Sequence, residues 1–206
     1  MRARRFTETH VDKPTVDTYT DAASRYAEEW RAQPAPDDMY ALLGRYFVHG
    51  GVTVDIGCGA GRDVAWLDAN GYPAVGYDAS AGLLAQAAAH YPHLRFMAAA
   101  LPELDGVSRG AFDNALCETV IMHLPVPQIS VACARLVDIL KPGGVLYLSW
   151  RVSDGESLRD GAGRLYASFD ADIVRDGLNG ATIVFDREAI NASSGKRVHR
   201  IVARRN

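Results

Sequence analysis

The sequence predicts an α/β protein built on a mostly parallel sheet with helices on both faces. Three observations carry this expectation. From Val52 onward, short β-branched runs alternate with helical runs, the pattern of right-handed strand–helix–strand units. The first of these strands ends in Asp55-Ile56-Gly57-Cys58-Gly59-Ala60-Gly61, a glycine-rich turn that opens a helix. The last two strands leave no room for a helix between them, so they add to one edge of the sheet as an antiparallel pair.

The elements follow in order. Residues 1–14 begin MRARRF with no apolar segment behind it, which reads as a disordered start rather than a targeting signal. Residues 15–32 carry Tyr19, Ala22, Tyr26 and Trp30 at three- and four-residue steps, a helix with one aromatic stripe that ends before Pro34 and Pro36. A second helix starts at Asp37 or Asp38 and runs to about Val48, closed by Gly50-Gly51. Residues 15–48 are thus a helical cap. VTVDI is the first strand, and residues 61–70 are a helix with Val64, Ala65 and Leu67 inward. YPAVGYD is the second strand, followed by the helix SAGLLAQAAAHY with Ser80 as N-cap. LRFMAA and AFDNALC are strands three and four. Residues 127–140 are a helix stopped by Pro142-Gly143-Gly144, and GVLYLSW is strand five. Residues 151–169, polar and glycine-rich, read as a lid or substrate loop. A helix over 170–178 precedes ATIVFDRE and KRVHRIVARR, joined by INASSG, which reads as a plain polar turn.

The bulk numbers narrow the function. At 206 residues the chain suits one domain over 15–206. A net charge of −3 gives no basic field for nucleic acid. The three cysteines, Cys58, Cys117 and Cys133, lack C-x-x-C spacing, so neither a disulfide frame nor a metal site is expected. No apolar run approaches the roughly 18 residues of a membrane span, and a cytoplasmic protein is expected.

In an open parallel sheet, ligands bind beyond the carboxyl ends of the strands, where the strand order reverses. A glycine turn there lets a ligand approach the backbone closely. The dinucleotide fingerprint is G-x-G-x-x-G, but Arg62 stands where its third glycine belongs. Asp55, two residues before Gly57, repels a pyrophosphate and suits an ammonium group. Asp78, ending strand two, can accept hydrogen bonds from both hydroxyls of a ribose, whether of a dinucleotide or of S-adenosylmethionine. Asp55 and the glycine spacing favour the second.

At these residues the chain resembles the class I S-adenosylmethionine-dependent methyltransferases. The resemblance runs from about Tyr19 to Trp150 and rests on VDIGCGAGRD, GYDAS, FDNALCETVIMHLP and LVDILKPGGVLYLSW, in the family's order and spacing. It implies a Rossmann-like seven-stranded sheet of order 3-2-1-4-5-7-6 with strand seven antiparallel. It implies methyl transfer from S-adenosylmethionine by in-line displacement, leaving S-adenosylhomocysteine, without a metal. By the same resemblance Asp55, Gly57, Cys58 and Gly59 line the methionine moiety, with Arg62 among the cofactor contacts. Asp78 holds the ribose, Ala79 and Ser80 flank the adenine, and Cys117 and Glu118 lie near the sulfonium. Tyr19 and Tyr26 fold over the cofactor. Many members place an acid after strand three to contact the adenine amine; here Ala98–Ala100 stand there, leaving that contact to the backbone or to Glu103.

His123, just past strand four, is the candidate general base, because a neutral imidazole can take a proton from an acceptor. The competing reading is that it packs the loop, and Glu118 and Thr119 are alternative catalytic groups. Arg151, Arg164 and Tyr166 in the lid, with His199 on the last strand, are candidate substrate contacts, since arginines can clamp a carboxylate or phosphate. A small-molecule acceptor is the preferred reading. RLYASFD resembles a segment of methyltransferases acting on wobble uridine in tRNA, which is the alternative. A non-catalytic S-adenosylmethionine-binding module and a nicotinamide-dependent oxidoreductase are readings from other classes, the last disfavoured by Asp55 and Arg62.

Overall fold

Every residue of β1 (Thr53–Ile56) is buried, as a strand covered on both faces must be. In the computed structural model, which describes residues 11–153 and 155–206, β1 lies between β2 (Ala74–Asp78) and β4 (Phe112–Cys117), parallel to both. β3 (Arg95–Ala98) pairs with β2, and β5 (Leu140–Arg151) pairs with β4. Beyond β5 the direction reverses. β9 (Arg197–Arg205) runs antiparallel to β5 and to the edge strand β8 (Ala181–Ile190). The order β3-β2-β1-β4-β5-β9-β8 is the expected 3-2-1-4-5-7-6 arrangement. The labels differ because a small hairpin, β6 (Leu158–Arg159) and β7 (Leu165–Tyr166), intervenes in the chain. The chain crosses from one half of the sheet to the other between β1 and β4, which places a ligand crevice at their carboxyl ends.

Alternating side chains of the central strands build two cores. Leu116, Val145, Tyr147 and Val202 pack with Met39, Tyr40 and Leu43 of α3 (Asp37–Tyr46) and Leu67 of α4 (Arg62–Ala69). Ala115, Cys117, Leu146, Leu148 and Ile201 pack with Ile129, Cys133 and Leu136 of α6 (Val126–Asp138) and Val174 of α7 (Ala171–Gly177). Among the described residues no helix is long and apolar enough to cross a membrane.

Three expectations are corrected. The single helix over 15–32 is two, α1 (Lys13–Asp21) and α2 (Ala23–Ala32), broken at Ala22 (φ −108°, ψ 22°). The Asp12 carboxylate caps α1 by accepting from the Thr15 amide, so that helix starts two residues early, inside the stretch expected to be disordered. The rest of that stretch, residues 1–10, lies outside the described residues. The chain turns at Ala22 where α1 and α2 meet α5 (Ala81–His90) at Gly82: a Cβ there would lie 2.4 Å from the Thr20 carbonyl oxygen. Pro142-Gly143-Gly144 does not stop α6, which ends at Asp138. It lies inside β5, where the pairing jumps from Phe112–Leu140 to Asn114–Val145. A proline with no amide to donate fits such a bulge. Ser80 caps α5 as expected, accepting from the Leu83 amide at 3.2 Å.

Candidate functional site

A cavity of about 620 Å³ lies at the carboxyl ends of β1, β2 and β4, under α1 and α2. Its floor is the glycine turn. Gly57 (φ +79°) and Gly59 (φ +54°) both hold left-handed conformations that glycine adopts without cost. A Cβ at Gly57 would meet Val120 at 2.2 Å, and one at Gly59 would meet Trp30 at 2.9 Å. What comes close to these two positions is therefore the protein's own side chains, where the sequence reading expected a ligand. The Gly57 and Cys58 amides both donate to the Tyr77 carbonyl, at 2.7 and 3.0 Å. The Asp78 carboxylate accepts from the Gly59 amide and from the Ser80 amide, each at 2.8 Å. Asp78 thus ties the turn to the start of α5, and each of its oxygens keeps a second acceptor position. Burial pushes its carboxyl above the usual range.

Asp55 is 3% exposed, and among the described residues no donor hydrogen-bonds its carboxylate. Burial, then the charges of Asp63 and Asp78, push that carboxyl well above the ordinary range. The adjacent cation is committed elsewhere: Arg62 makes two 3.0 Å bonds to Asp63, which also accepts from the Tyr40 hydroxyl at 2.7 Å. Asp55, Asp63, Asp78 and Glu118 line the cavity with Arg62, an acidic wall suited to an ammonium group. Burial also pushes the Glu118 carboxyl up. The Ser149 hydroxyl donates to one of its oxygens and Asn191 Nδ2 to the other at 3.3 Å.

Another part of the lining is aromatic. Tyr19 and Tyr26 lie 5.1 Å apart, and Trp30 stacks on Tyr26 at 5.6 Å. His123, in a 3₁₀ turn over Ile121–His123, meets Tyr19 and β7 together. His123 Nδ1 lies 2.5 Å from the Leu165 carbonyl, and Nε2 lies 3.0 Å from the Tyr19 hydroxyl. A carbonyl can only accept, so Nδ1 carries the proton and Nε2 accepts from Tyr19. Burial pulls the imidazole down to about 4, which leaves it neutral at pH 7. The β6–β7 hairpin is clasped to α1. The Leu165 amide donates to Thr15 Oγ1 at 2.8 Å, Thr18 Oγ1 donates to the Ala162 carbonyl at 2.6 Å, and Arg159 pairs with Asp12 at 2.5 Å.

Residues 53–144 match a family model described as a methyltransferase domain. The segment covers β1 through the start of β5, the part of the chain that builds the acidic wall. That segment, a little under half of the chain, is what this protein shares with methyltransferase domains. A curated relative, the ubiquinone biosynthesis O-methyltransferase of Methylococcus capsulatus, is 33% identical over 101 residues, 47% of this chain and 41% of that protein. The chain thus spans well under half the length of the curated relatives it matches. Among solved structures, the Burkholderia thailandensis 1,6-didemethyltoxoflavin-N1-methyltransferase, with 1,6-didemethyltoxoflavin and S-adenosylhomocysteine bound, shares the fold with a TM-score of 0.75. It is 23% identical, and the match covers 99% of this chain and 93% of that one. An S-adenosylmethionine-dependent methyltransferase from Mesorhizobium loti has a TM-score of 0.69 at 18% identity, covering 81% and 97%.

The donor set fits S-adenosylmethionine. Asp55 is a buried carboxylate without a donor among the described residues, suited to an amine, and Asp78 has acceptor positions to spare for a diol. Of the residues singled out from sequence, Tyr19, Tyr26, Gly57, Cys58, Gly59, Arg62, Ala79, Ser80, Glu118 and His123 line the same cavity as the two aspartates. Arg151, Arg164 and Tyr166 line it from the lid side. Two residues do not. Cys117 is fully buried in the α6 core, because it precedes Glu118 in a strand whose side chains alternate. His199 lies outside the cavity, stacked on Trp150 at 4.5 Å with Nε2 2.6 Å from Asp186. Glu103 does not reach the cavity, whereas Ala99, Ala100 and Leu101 do.

Sequence reasoning missed two parts of the cavity. Asp63 lines it and fixes Arg62; its place in the first turn of α4 gave no signal. The Asn191–Lys196 turn, read as a plain loop, also lines it. The Ala192 amide donates to Asp38 at 3.1 Å, and Arg200 pairs with the same carboxylate at 2.7 Å, which draws the turn over the cavity. Thr119, weighed as an alternative catalytic group, lines the cavity in a left-handed conformation (φ +56°), held by its amide to Ser149. A threonine so held stores strain of about 1 kcal/mol or more, of a kind that gathers at functional sites.

Proposed function

We propose that this chain is an S-adenosylmethionine-dependent methyltransferase acting in the cytoplasm on a small-molecule acceptor by in-line displacement. The observation that carries the reading is Asp55, a buried carboxylate without a donor among the described residues, in the same cavity as Asp78. Asp55 takes the amino group of the methionine moiety, beside the backbone of Gly57, Cys58 and Gly59. Asp78 takes the ribose hydroxyls. Ala79, Ser80 and Ala99 flank the adenine, and Tyr19 and Tyr26 close over the cofactor. When bound, S-adenosylmethionine supplies an activated methyl group, whose bond to sulfur breaks with the electron pair returning to sulfur. The protein aligns the acceptor and excludes water. The acceptor's proton passes to the Tyr19–His123 pair: Tyr19 receives it and gives its own to His123 Nε2, with Nδ1 held on the Leu165 carbonyl. Glu118, engaged by Ser149 and Asn191, positions the turn near the sulfonium and does not take the proton.

A cavity of about 620 Å³ suits the cofactor with one small acceptor. The names of the relatives support the same class: one acts in ubiquinone biosynthesis and a structural neighbour is named for 1,6-didemethyltoxoflavin. The net charge of −3 argues against a polyanion. Three free, buried cysteines suit a reducing compartment. Incubation with methyl-labelled S-adenosylmethionine and either a metabolite extract or bulk tRNA tests the reading. Label in the small-molecule fraction is expected. Label in tRNA alone establishes the wobble-uridine alternative, and label in neither supports the non-catalytic binding module.

A further inference from the structure

Arg151 ends β5, half-buried on the lid side of the cavity. Its guanidinium lies over the Tyr166 ring at 5.4 Å, as that of Arg164 does at 5.5 Å, and no carboxylate among the described residues pairs with Arg151. The two other half-buried arginines of the cavity are neutralised. Arg62 is held by Asp63 at 3.0 Å, and Arg164 by Asp160 at 2.6 and 2.8 Å. A half-buried guanidinium without a counterion is where an anion gains most from a bidentate pair. The surface beside it is aromatic. Tyr166 and Tyr19 both stand edge-on to His123, with ring centroids at 5.1 and 5.6 Å. A cation, a flat ring wall and a neutral hydrogen-bonding pair therefore follow one another along one side of the cavity.

Building on the methyltransferase reading, we propose that the methyl acceptor is a planar hydroxylated carboxylic acid. Its carboxylate pairs with Arg151, its hydroxyl faces the Tyr19–His123 pair, and its ring lies beside the Tyr166 edge between the two. Arg151 then sets acceptor specificity, while the carboxylates assigned to the cofactor, Asp55 and Asp78, come from β1 and β2.

Calorimetric titration with three probes tests this: 3,4-dihydroxybenzoate, its methyl ester, and catechol, each with and without S-adenosylhomocysteine. The acid is expected to bind at least about tenfold more tightly than the ester and catechol. Arg151→Gln abolishes that preference and leaves catechol affinity unchanged, and Arg151→Lys keeps part of it. S-adenosylhomocysteine affinity stays at the wild-type value in both variants, which also shows that they fold. Equal binding of acid, ester and catechol by the wild-type chain, binding of none of them, or an acid preference that survives in Arg151→Gln overturns the proposal. Absence of S-adenosylhomocysteine binding by the wild-type chain overturns the methyltransferase reading instead, while the titrations without it still read the acid preference.

Discussion

Two buried ionisable side chains line the cavity, and burial drives both toward neutrality. Asp55 has its carboxyl raised and His123 has its imidazole lowered to about 4. For Asp55, a bound ammonium reverses the effect, because a cation favours the ionised form. S-adenosylmethionine affinity should therefore increase as pH rises toward neutrality, since binding displaces the proton that burial retains. Asp55→Asn should lose that pH dependence and bind about 10- to 100-fold more weakly, which calorimetry across a pH series reads. For His123, the unfolded imidazole takes a proton near 6.5 and the folded one only near 4. Between those values the unfolded state binds more protons, so stability falls as pH drops through that window, by up to about 3 kcal/mol from this group. His123→Gln should flatten the urea-unfolding free energy over pH 6.5 to 4; an unchanged slope counts against the buried neutral imidazole. Asp55 and Asp78 were legible as a pair because each ends a strand beside a ligand crevice. Cys117 and His199 were misplaced because spacing along a strand does not say which face a residue takes. Packing against α6 decided the first, and Asp186 and Trp150 decided the second.

At the scale of elements, α1 and the β6–β7 hairpin close the cavity as one unit. Thr15 joins them: its Oγ1 donates to Asp12 at 2.5 Å and accepts from the Leu165 amide at 2.8 Å. Thr15→Val keeps the shape of this buried side chain and removes both bonds. Amide exchange over residues 158–166 should speed up by about tenfold in the variant while exchange in β1 and β4 stays unchanged. Equal protection in both proteins would show that the clasp rests on other contacts. The hairpin was legible only as a polar, glycine-rich stretch, since two-residue strands carry no periodicity. The break at Ala22 had no sequence signal, because the aromatic stripe runs through it at unbroken helical spacing. The bulge at Pro142-Gly143-Gly144 was misread as a helix stop, since the same residues serve both purposes.

The whole molecule follows from one alternation. Strands buried on both faces, separated by helical runs, fix a parallel sheet, and two terminal strands without a helix between them fix its antiparallel edge. That much was open to sequence reasoning because hydrophobic periodicity survives without tertiary context. The cavity walls from the Asn191–Lys196 turn were not, because they depend on where β9 meets α3. Leu146, fully buried in the middle of β5, should carry a large share of the packing. Leu146→Ala should lower the unfolding free energy by about 2–5 kcal/mol in urea. The central claim is that the acidic wall around Asp55 and Asp78 is an S-adenosylmethionine site and not a dinucleotide site. Calorimetric titration of the wild-type chain with S-adenosylmethionine, S-adenosylhomocysteine and NADH tests it most directly. Saturable one-to-one binding of the first two and none of NADH is expected; binding of NADH without the other two contradicts it.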